Sequence, residues 1–287
     1  LDAPIADVWP EFAAAGKQHV TLRHALTHRA GVPAIREPLT DDDLWDWDRM
    51  TSALAATAPW WEPDTRHTYH TNTFGHLVGE VIRRVSGEMP GTRLRRLAEQ
   101  VGADVWFGVP VEHLARCADV IWAPARQLVS FDPHALEGEA QMLALGYANP
   151  PGYSSMGVVN STEWRMAQVP STNGHATAAG LARMYAGVLD RGWIPAGLLA
   201  DATRVQSSGP CIVLGEDVEF GLGFTPTGER RPLGTNPRSF GHFGTGGSLG
   251  FADPDARLAF GYVMNHVIPR WQSTRNRALI DALYAAL

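Results

Sequence analysis

The chain has 287 residues, a formal net charge of −6 at pH 7 and a sequence pI near 6.0. This length allows one or two domains with a large core, and the mild acidity gives no sign of a nucleic-acid partner or of attraction to a membrane surface. The two cysteines, Cys117 and Cys211, lie too far apart to indicate a disulfide framework or a metal knuckle.

The first predicted helix covers residues 20–27, with Thr21 as its N-cap and apolar residues at helical spacing. It carries His24 and His28, whose spacing would place two metal ligands on one face. The glutamate of an H-E-x-x-H motif is missing and no third ligand is evident. We therefore favour structural histidines that bond to loop carbonyls, and we predict no metal site.

Tyr69 and His70 precede a second predicted helix. Apolar residues recur at spacings of three and four over residues 74–85, which indicates a helix with one buried face, and Gly87 closes it. Tyr69 therefore lies in a loop that is rigidly mounted on a buried helix. A packed tyrosine with a satisfied hydroxyl is the alternative interpretation.

The rest of the chain runs from helices to strands. A basic helix begins near residue 93, an irregular stretch extends to residue 149, and residues 147–159 are typical of a loop. Further helices are predicted over residues 177–191 and 274–286. The predicted strands cover residues 220–224, 238–244, 248–252 and 258–265.

This order predicts an α+β fold, in which an antiparallel sheet is flanked by helices and lies beside a helical lobe. Residues 1–200 would form the helical and loop lobe that carries Tyr69. Residues 201–287 would supply the strands of the sheet and the closing helix, both parts belonging to one domain. Three or four strands make a thin sheet, and we expect a segment before residue 1 to supply its partner strands.

Residues 239–250, with the sequence SFGHFGTGGSLG, contain five glycines and one histidine. Phe240 and Phe251 favour strand structure at the two ends. Glycine weakens a strand, so its usual purpose there is the close approach of a ligand or of another backbone. We predict that residues 242–245 form a substrate-facing strand whose N–H groups would bind an acyl substrate.

Three alternatives remain for this stretch. A phosphate loop requires lysine where Gly247 stands. A nucleophile elbow matches G-x-S-x-G at Ser248, but this motif needs a helix after the serine, whereas a turn and a predicted strand follow. The third alternative is a glycine-rich hairpin that only requires tight packing.

Three segments together resemble a known family. TLRHALTHRAGVP is similar to the T-x-R-x-L-L-T-H-x-S-G segment of serine hydrolases related to class C β-lactamases and penicillin-binding proteins. WWEPDTRHTYHTNTFGHLVGEVIRRVSG resembles their W-x-P-G-T-x-x-x-Y loop and helix, and GHFGTGGSLGFADPDARLAFGYVMN resembles their third-motif strand and hairpin. The likeness covers residues 1–265. The histidine in the third motif resembles the family VIII carboxylesterases more than true β-lactamases, which carry Lys-Thr-Gly there.

The resemblance implies roles for five residues. Tyr69 matches the motif tyrosine, as general base or proton relay, and His242 would orient that tyrosine and the substrate. The N–H of Thr245 would be one oxyanion donor, with Gly244 giving clearance, and His70 would lie at the substrate site. The family activates a serine hydroxyl with a lysine and a tyrosine, and stabilises the oxyanion with preorganised N–H donors. No cofactor is implied.

The sequence departs from the family pattern in three ways. Thr71 replaces the asparagine of the lactamases, and Asp64 replaces the usual loop glycine. Ser-x-x-Lys is absent, because the only lysine is Lys17 and Ala14 stands three residues before it. The family places this motif upstream of the part that resembles residues 1–12. We therefore expect a fragment, or one piece of a two-piece protein, whose nucleophile lies before Leu1 and which is inactive alone.

The leading functional hypothesis is a serine hydrolase that acts on small esters or amides through an acyl-enzyme. A non-catalytic binding protein of the same fold and an acyltransferase of the same family are the alternatives. The expected partners are a small-molecule substrate and the chain's own N-terminal segment as a separate piece, with neither nucleic acid nor membrane. Without a membrane span or a signal peptide in the sequence, a cytoplasmic location is the expectation.

Overall fold

The structure is a computed structural model that describes residues 1–122, 132–268 and 274–287. The described residues form ten α-helices and ten strands, together with short 3₁₀ helices. The helices are α1 Leu22–Leu26, α2 Asp41–Leu44, α3 Trp47–Ala56, α4 Thr73–Ser86, α5 Pro90–Gln100, α6 Gly138–Ala148, α7 Thr162–Met166, α8 Ala178–Asp190, α9 Ala196–Thr203 and α10 Thr274–Ala285. The strands are β1 Val105–Trp106, β2 Ile121–Trp122, β3 His175–Ala176, β4 Ser207–Cys211, β5 Glu216–Phe220, β6 Thr225–Pro226, β7 Phe240–Phe243, β8 Leu249–Asp253, β9 Leu258–Tyr262 and β10 His266–Val267.

The main sheet is antiparallel and has the strand order β6-β7-β8-β9. The hairpin β4–β5 forms a second, two-stranded sheet, and two short pairs complete the described strands: β1 with β3, and β10 with β2 in parallel. This arrangement of helices around antiparallel strands is the α+β fold that the order of elements predicts.

The two faces of the main sheet bury different kinds of residue. Phe243, Leu249 and Phe251 pack with Ile280 of α10 on one face. His242 of β7 is paired with Gly250 of β8, and Gly250 is paired with Gly261 of β9. Directly paired residues point to the same face of a sheet, so these three lie together on the other face. A side-chain carbon at either of these glycines would collide with α8, so α8 lies close against the face that carries His242.

A second core lies in the helical part of the chain. It joins α1, α3 and α4 to the first residues and to the segment after α6, through large buried side chains. Among them are Trp9, Phe12, Leu54, Leu77, Tyr153 and Trp164. Burial of each such side chain contributes about 1.5–3 kcal/mol, so this core holds firmly the loop that precedes α4.

The boundaries of the long helices follow the signals in the sequence. The Thr21 side chain accepts a hydrogen bond from the His24 N–H, and the Thr177 side chain caps α8. Gly87 ends α4 in the left-handed conformation, with φ of 71°. These three caps confirm the predicted limits of the helices.

Two predictions of local structure are wrong. The strand expected over residues 220–224 ends at Phe220, because the chain turns through Gly221 and Gly223 before β6. Helix α6 occupies part of the stretch expected to be irregular, which also includes residues 123–131, outside the described part of the chain. Its apolar residues surround the helix instead of forming one stripe, so the periodicity is weak. No helix among the described residues is long and apolar enough to cross a membrane.

Candidate active site

Tyr69 lies in the loop that leads into α4, and three aromatic neighbours fix its ring. It stacks on Phe220 at the end of β5, with ring centroids 5.8 Å apart and an interplanar angle of 12°. The ring of His28 meets it edge-on, with centroids 5.0 Å apart. The His242 ring lies on another side at 6.0 Å. Contacts of this kind favour a single orientation of the phenol.

The backbone at Tyr69 is bound to β4. The Tyr69 N–H donates to the sulfur of Cys211 over 3.2 Å, and the Thr68 hydroxyl lies 3.2 Å from the same sulfur. That hydroxyl also accepts a hydrogen bond from the Val213 N–H. The loop that carries the phenol is thus attached to the β4–β5 hairpin as well as to α4.

Tyr69, His242 and Thr225 form a row of polar side chains. The Tyr69 hydroxyl lies 3.2 Å from Nε2 of His242 in β7. On the other side of the imidazole, Nδ1 lies 3.1 Å from Oγ1 of Thr225 in β6. The loop before α4 and the main sheet therefore meet at this histidine.

Burial governs the protonation of both aromatic groups. It raises the pKa of Tyr69 well above its ordinary value, and it lowers the pKa of His242 to about 4, with a further contribution from the charge of Arg231. At neutral pH both side chains are uncharged. A neutral phenol can donate a proton, whereas a base would have to be a phenolate.

The turn after β7 contains the two residues expected at the oxyanion site. The Gly244 N–H donates to the Ser248 carbonyl at 2.8 Å, and the Gly247 N–H donates to the Gly244 carbonyl at 2.9 Å. Thr245 between them is exposed, and within the described ranges its N–H donates to no acceptor. That N–H is available to a ligand. A side-chain carbon at Gly244 would collide with Oγ of Ser248.

His70, the fifth predicted site residue, is completely buried. Its Nδ1 lies 2.7 Å from the Thr68 carbonyl, and its Nε2 accepts from the Val32 N–H at 3.2 Å. Since both ring nitrogens are bonded to backbone, these contacts favour a structural role over the predicted contact with substrate. Tyr69, His242, Gly244 and Thr245 remain as the candidate site.

Ser248 lies directly before strand β8, and not before a helix. The prediction that no helix follows this serine is confirmed. Without that helix, the strained turn of a nucleophile elbow cannot form. Ser248 instead stabilises the turn, because its carbonyl accepts the hydrogen bond from the Gly244 N–H.

The candidate metal ligands of the first helix have structural contacts. His24 accepts from the Thr21 N–H, and His28 lies among the rings of Tyr69, His70, Phe74 and Phe220. Across residues 1–122, 132–268 and 274–287, no three histidine, cysteine, aspartate or glutamate side chains are grouped to hold a metal.

Lys17 is completely buried, and its ammonium group donates to the carbonyls of Ala14 at 2.7 Å and Thr57 at 2.6 Å. These contacts belong to the helical core. Lys17 therefore fixes the chain in that core, and it has no serine three residues before it.

Sequence reasoning missed Thr225, Cys211 and Phe220, which all support the site. Each is far from Tyr69 in the chain, and none belongs to a recognisable motif. The Thr-Pro pair at residues 225–226 and the lone cysteine carry no local signal that links them to a tyrosine loop.

Comparisons with known proteins show the family and the fold of the chain. The chain matches the β-lactamase family over residues 1–285. It is 32% identical over 290 residues to the esterase/β-lactamase LipL of Mycobacterium tuberculosis (strain ATCC 25618 / H37Rv), an alignment that covers 93% of this chain and 63% of LipL. A family VIII carboxylesterase structure is similar with a TM-score of 0.85 and 34% identity, covering 100% of this chain and 76% of that chain. A penicillin-binding protein homologue from Caulobacter crescentus is similar with a TM-score of 0.86 and 36% identity, with the same two coverages.

The fold is that of a β-lactamase-like protein. This chain belongs to the β-lactamase family. The resemblance that three sequence segments indicate is thereby confirmed, as is the predicted fold. The chain spans 63% of the length of LipL.

Proposed function

We propose that this protein is a serine hydrolase that cleaves small carboxylic esters through an acyl-enzyme. The observation that carries the proposal is the 3.2 Å contact between the Tyr69 hydroxyl and Nε2 of His242, beside a glycine-rich turn with an available N–H. Relatives named as an esterase/β-lactamase and as a family VIII carboxylesterase support the ester class.

The nucleophile in this proposal is a serine outside the 287 residues of this chain. No serine among the 287 residues has a lysine three positions later, and the only lysine is bound in the helical core. A serine–lysine pair from another segment would meet Tyr69 at the substrate. A lysine ammonium group near the phenol would lower its pKa and make proton transfer easier.

The proposed chemistry uses the described residues as follows. The serine oxygen attacks the ester carbonyl, and the N–H of Thr245 stabilises the oxyanion of the tetrahedral intermediate. Tyr69 relays the proton from the serine to the departing alkoxide, which leaves as an alcohol. Water then attacks the acyl-enzyme and releases the carboxylic acid and the free serine. His242 orients the phenol during both steps.

The test is the hydrolysis of a chromogenic short-chain ester by the full-length protein, with and without Tyr69→Phe. We expect kcat to fall by about a hundredfold or more, because general acid–base catalysis contributes about 10²–10⁴. Tyr185→Phe is the matched control. This half-buried tyrosine of α8 loses the same hydroxyl, and the activity of the variant is expected to stay near wild type.

A fluorophosphonate probe tests the nucleophile in the same protein. We expect one labelled serine, located by peptide mass spectrometry outside the 287 residues of this chain. Labelling of a serine within them would contradict the proposed nucleophile. A protein that binds esters without turnover or labelling would be a binding protein of this fold.

A further inference from the structure

Thr225 is held beside the catalytic histidine by strand pairing. It lies opposite Gly241 across the β6–β7 pair, next to His242 in the chain. Its Oγ1 is 3.1 Å from Nδ1 of His242, on the far side of the ring from Tyr69. The threonine therefore contacts the histidine without contacting the tyrosine hydroxyl.

A neutral imidazole carries one proton, and the partner of one nitrogen decides the state of the other. Burial keeps the Tyr69 phenol protonated and His242 neutral at physiological pH. A ring proton on Nδ1 would be donated to Oγ1 of Thr225, 3.1 Å away, and would leave Nε2, 3.2 Å from the Tyr69 oxygen, to accept the phenol proton.

We propose that Thr225 is a positioning residue that holds His242 in the Nδ1–H tautomer, and so directs the Tyr69 hydroxyl hydrogen toward Nε2. This inference rests on the proposed function for its effect on turnover, but the tautomer itself is a property of the resting protein. With no acceptor at Nδ1, the ring proton would move to Nε2. The Nε2–H and the phenol O–H would then be two donors facing each other, and the hydroxyl hydrogen would turn away from the histidine.

The test compares Thr225→Val, which has nearly the same shape but no hydroxyl, with the matched control Thr225→Ser, which keeps the oxygen. Long-range ¹H–¹⁵N spectra of histidine-labelled protein report the tautomer of His242. We expect Nδ1–H in the wild type and in the serine variant, and Nε2–H in the valine variant. With the chromogenic ester, kcat of Thr225→Val should fall by about 10- to 100-fold, as is usual for groups that orient a functional histidine, with KM nearly unchanged.

The outcomes separate this inference from the proposed function. A wild-type protein with the Nε2–H tautomer would overturn the inference without any variant. It would also fail if Thr225→Val kept both the wild-type tautomer and the wild-type kcat while Tyr69→Phe was inactive. Full activity of both Tyr69→Phe and His242→Asn would instead overturn the proposed function.

Discussion

The sulfur of Cys211 lies 3.2 Å from the backbone nitrogen of Tyr69 and accepts its hydrogen bond. Cys211 is the last residue of β4 and is 2% exposed, so the thiol is shielded from solvent. A buried N–H that loses its acceptor costs about 1–3 kcal/mol. The cysteine therefore stabilises the loop that positions the Tyr69 phenol.

Replacement of Cys211 should loosen this loop. We expect Cys211→Ala to lower the free energy of unfolding by about 1–2 kcal/mol, because the Tyr69 N–H loses the sulfur as its acceptor. Cys211→Ser keeps an acceptor and should lose less. Denaturant unfolding measures the stability, and kcat with the chromogenic ester measures the effect on Tyr69. Alanine and serine variants with equal stability and equal kcat would show that the sulfur contact is unimportant.

Ser248 should prove dispensable for catalysis. The strand that follows it excludes an elbow, and its contribution to the turn comes from its carbonyl. We expect Ser248→Ala in the full-length protein to keep ester hydrolysis within a few-fold of wild type. A fall of about a thousandfold, the scale of losing a nucleophile, would restore the elbow interpretation.

Gly244→Ala should impair the turn that carries the proposed oxyanion donor, the N–H of Thr245. The added methyl group would collide with Oγ of Ser248 and displace the neighbouring N–H of Thr245. Loss of one oxyanion donor costs about 10²–10³ in kcat, which sets the upper limit of the effect. The double variant Gly244→Ala with Ser248→Ala removes the colliding oxygen and should recover much of the activity. If the double variant were no better than Gly244→Ala, the collision would not be the cause.

Lys17 should make stability depend on alkaline pH. Burial lowers its pKa in the folded state from 10.5 to about 8, so between these values the unfolded chain binds more protons than the folded chain. The free energy of unfolding should therefore rise as pH increases from about 8 to 10.5, by up to about 3 kcal/mol. The cost of the buried charge is fully present below pH 8.

The difference between wild type and Lys17→Met isolates this contribution from those of the other titratable groups. Because Lys17 is the only lysine, its side-chain NMR signal can be followed without ambiguity. A midpoint near 8 is expected. A lysine that titrates near 10.5, with parallel stability curves for the two proteins, would contradict the prediction.

The parts of the fold that could be predicted are those with a strong local pattern. Helices α4 and α8 have apolar stripes and capping residues within a few positions, and β7 and β8 lie in a stretch marked by aromatic residues and glycines. The hairpin β4–β5 could not be found in this way. Its first strand contains glycine and proline, and its second alternates charged residues with few apolar ones.

Only the site residues that lie in recognisable motifs could be predicted from the sequence. Tyr69 and His242 were identifiable because each lies in a segment that resembles the family, and the structure brings them within 3.2 Å. Thr225 contacts His242 across the β6–β7 pair, and Cys211 of β4 contacts the backbone of Tyr69. Neither segment alone indicates which residues the pairing brings together. His70 lies beside Tyr69 in sequence, yet it faces the interior.

A side-chain carbon at Gly250 would collide with the side chains of Tyr185 and Leu181 in α8, and one at Gly261 would collide with the backbone of α8 at Ala178 and Ala182. The backbone contact at Gly261 cannot adjust by changing a rotamer, and close-packed protein interiors are hardly compressible. The helix α8 therefore holds the strands beside His242 at a fixed distance. Substitutions that adapt the protein to new substrates are therefore expected in the loops around Tyr69 and Thr245, and not at Gly250 or Gly261, where any side chain would collide with α8.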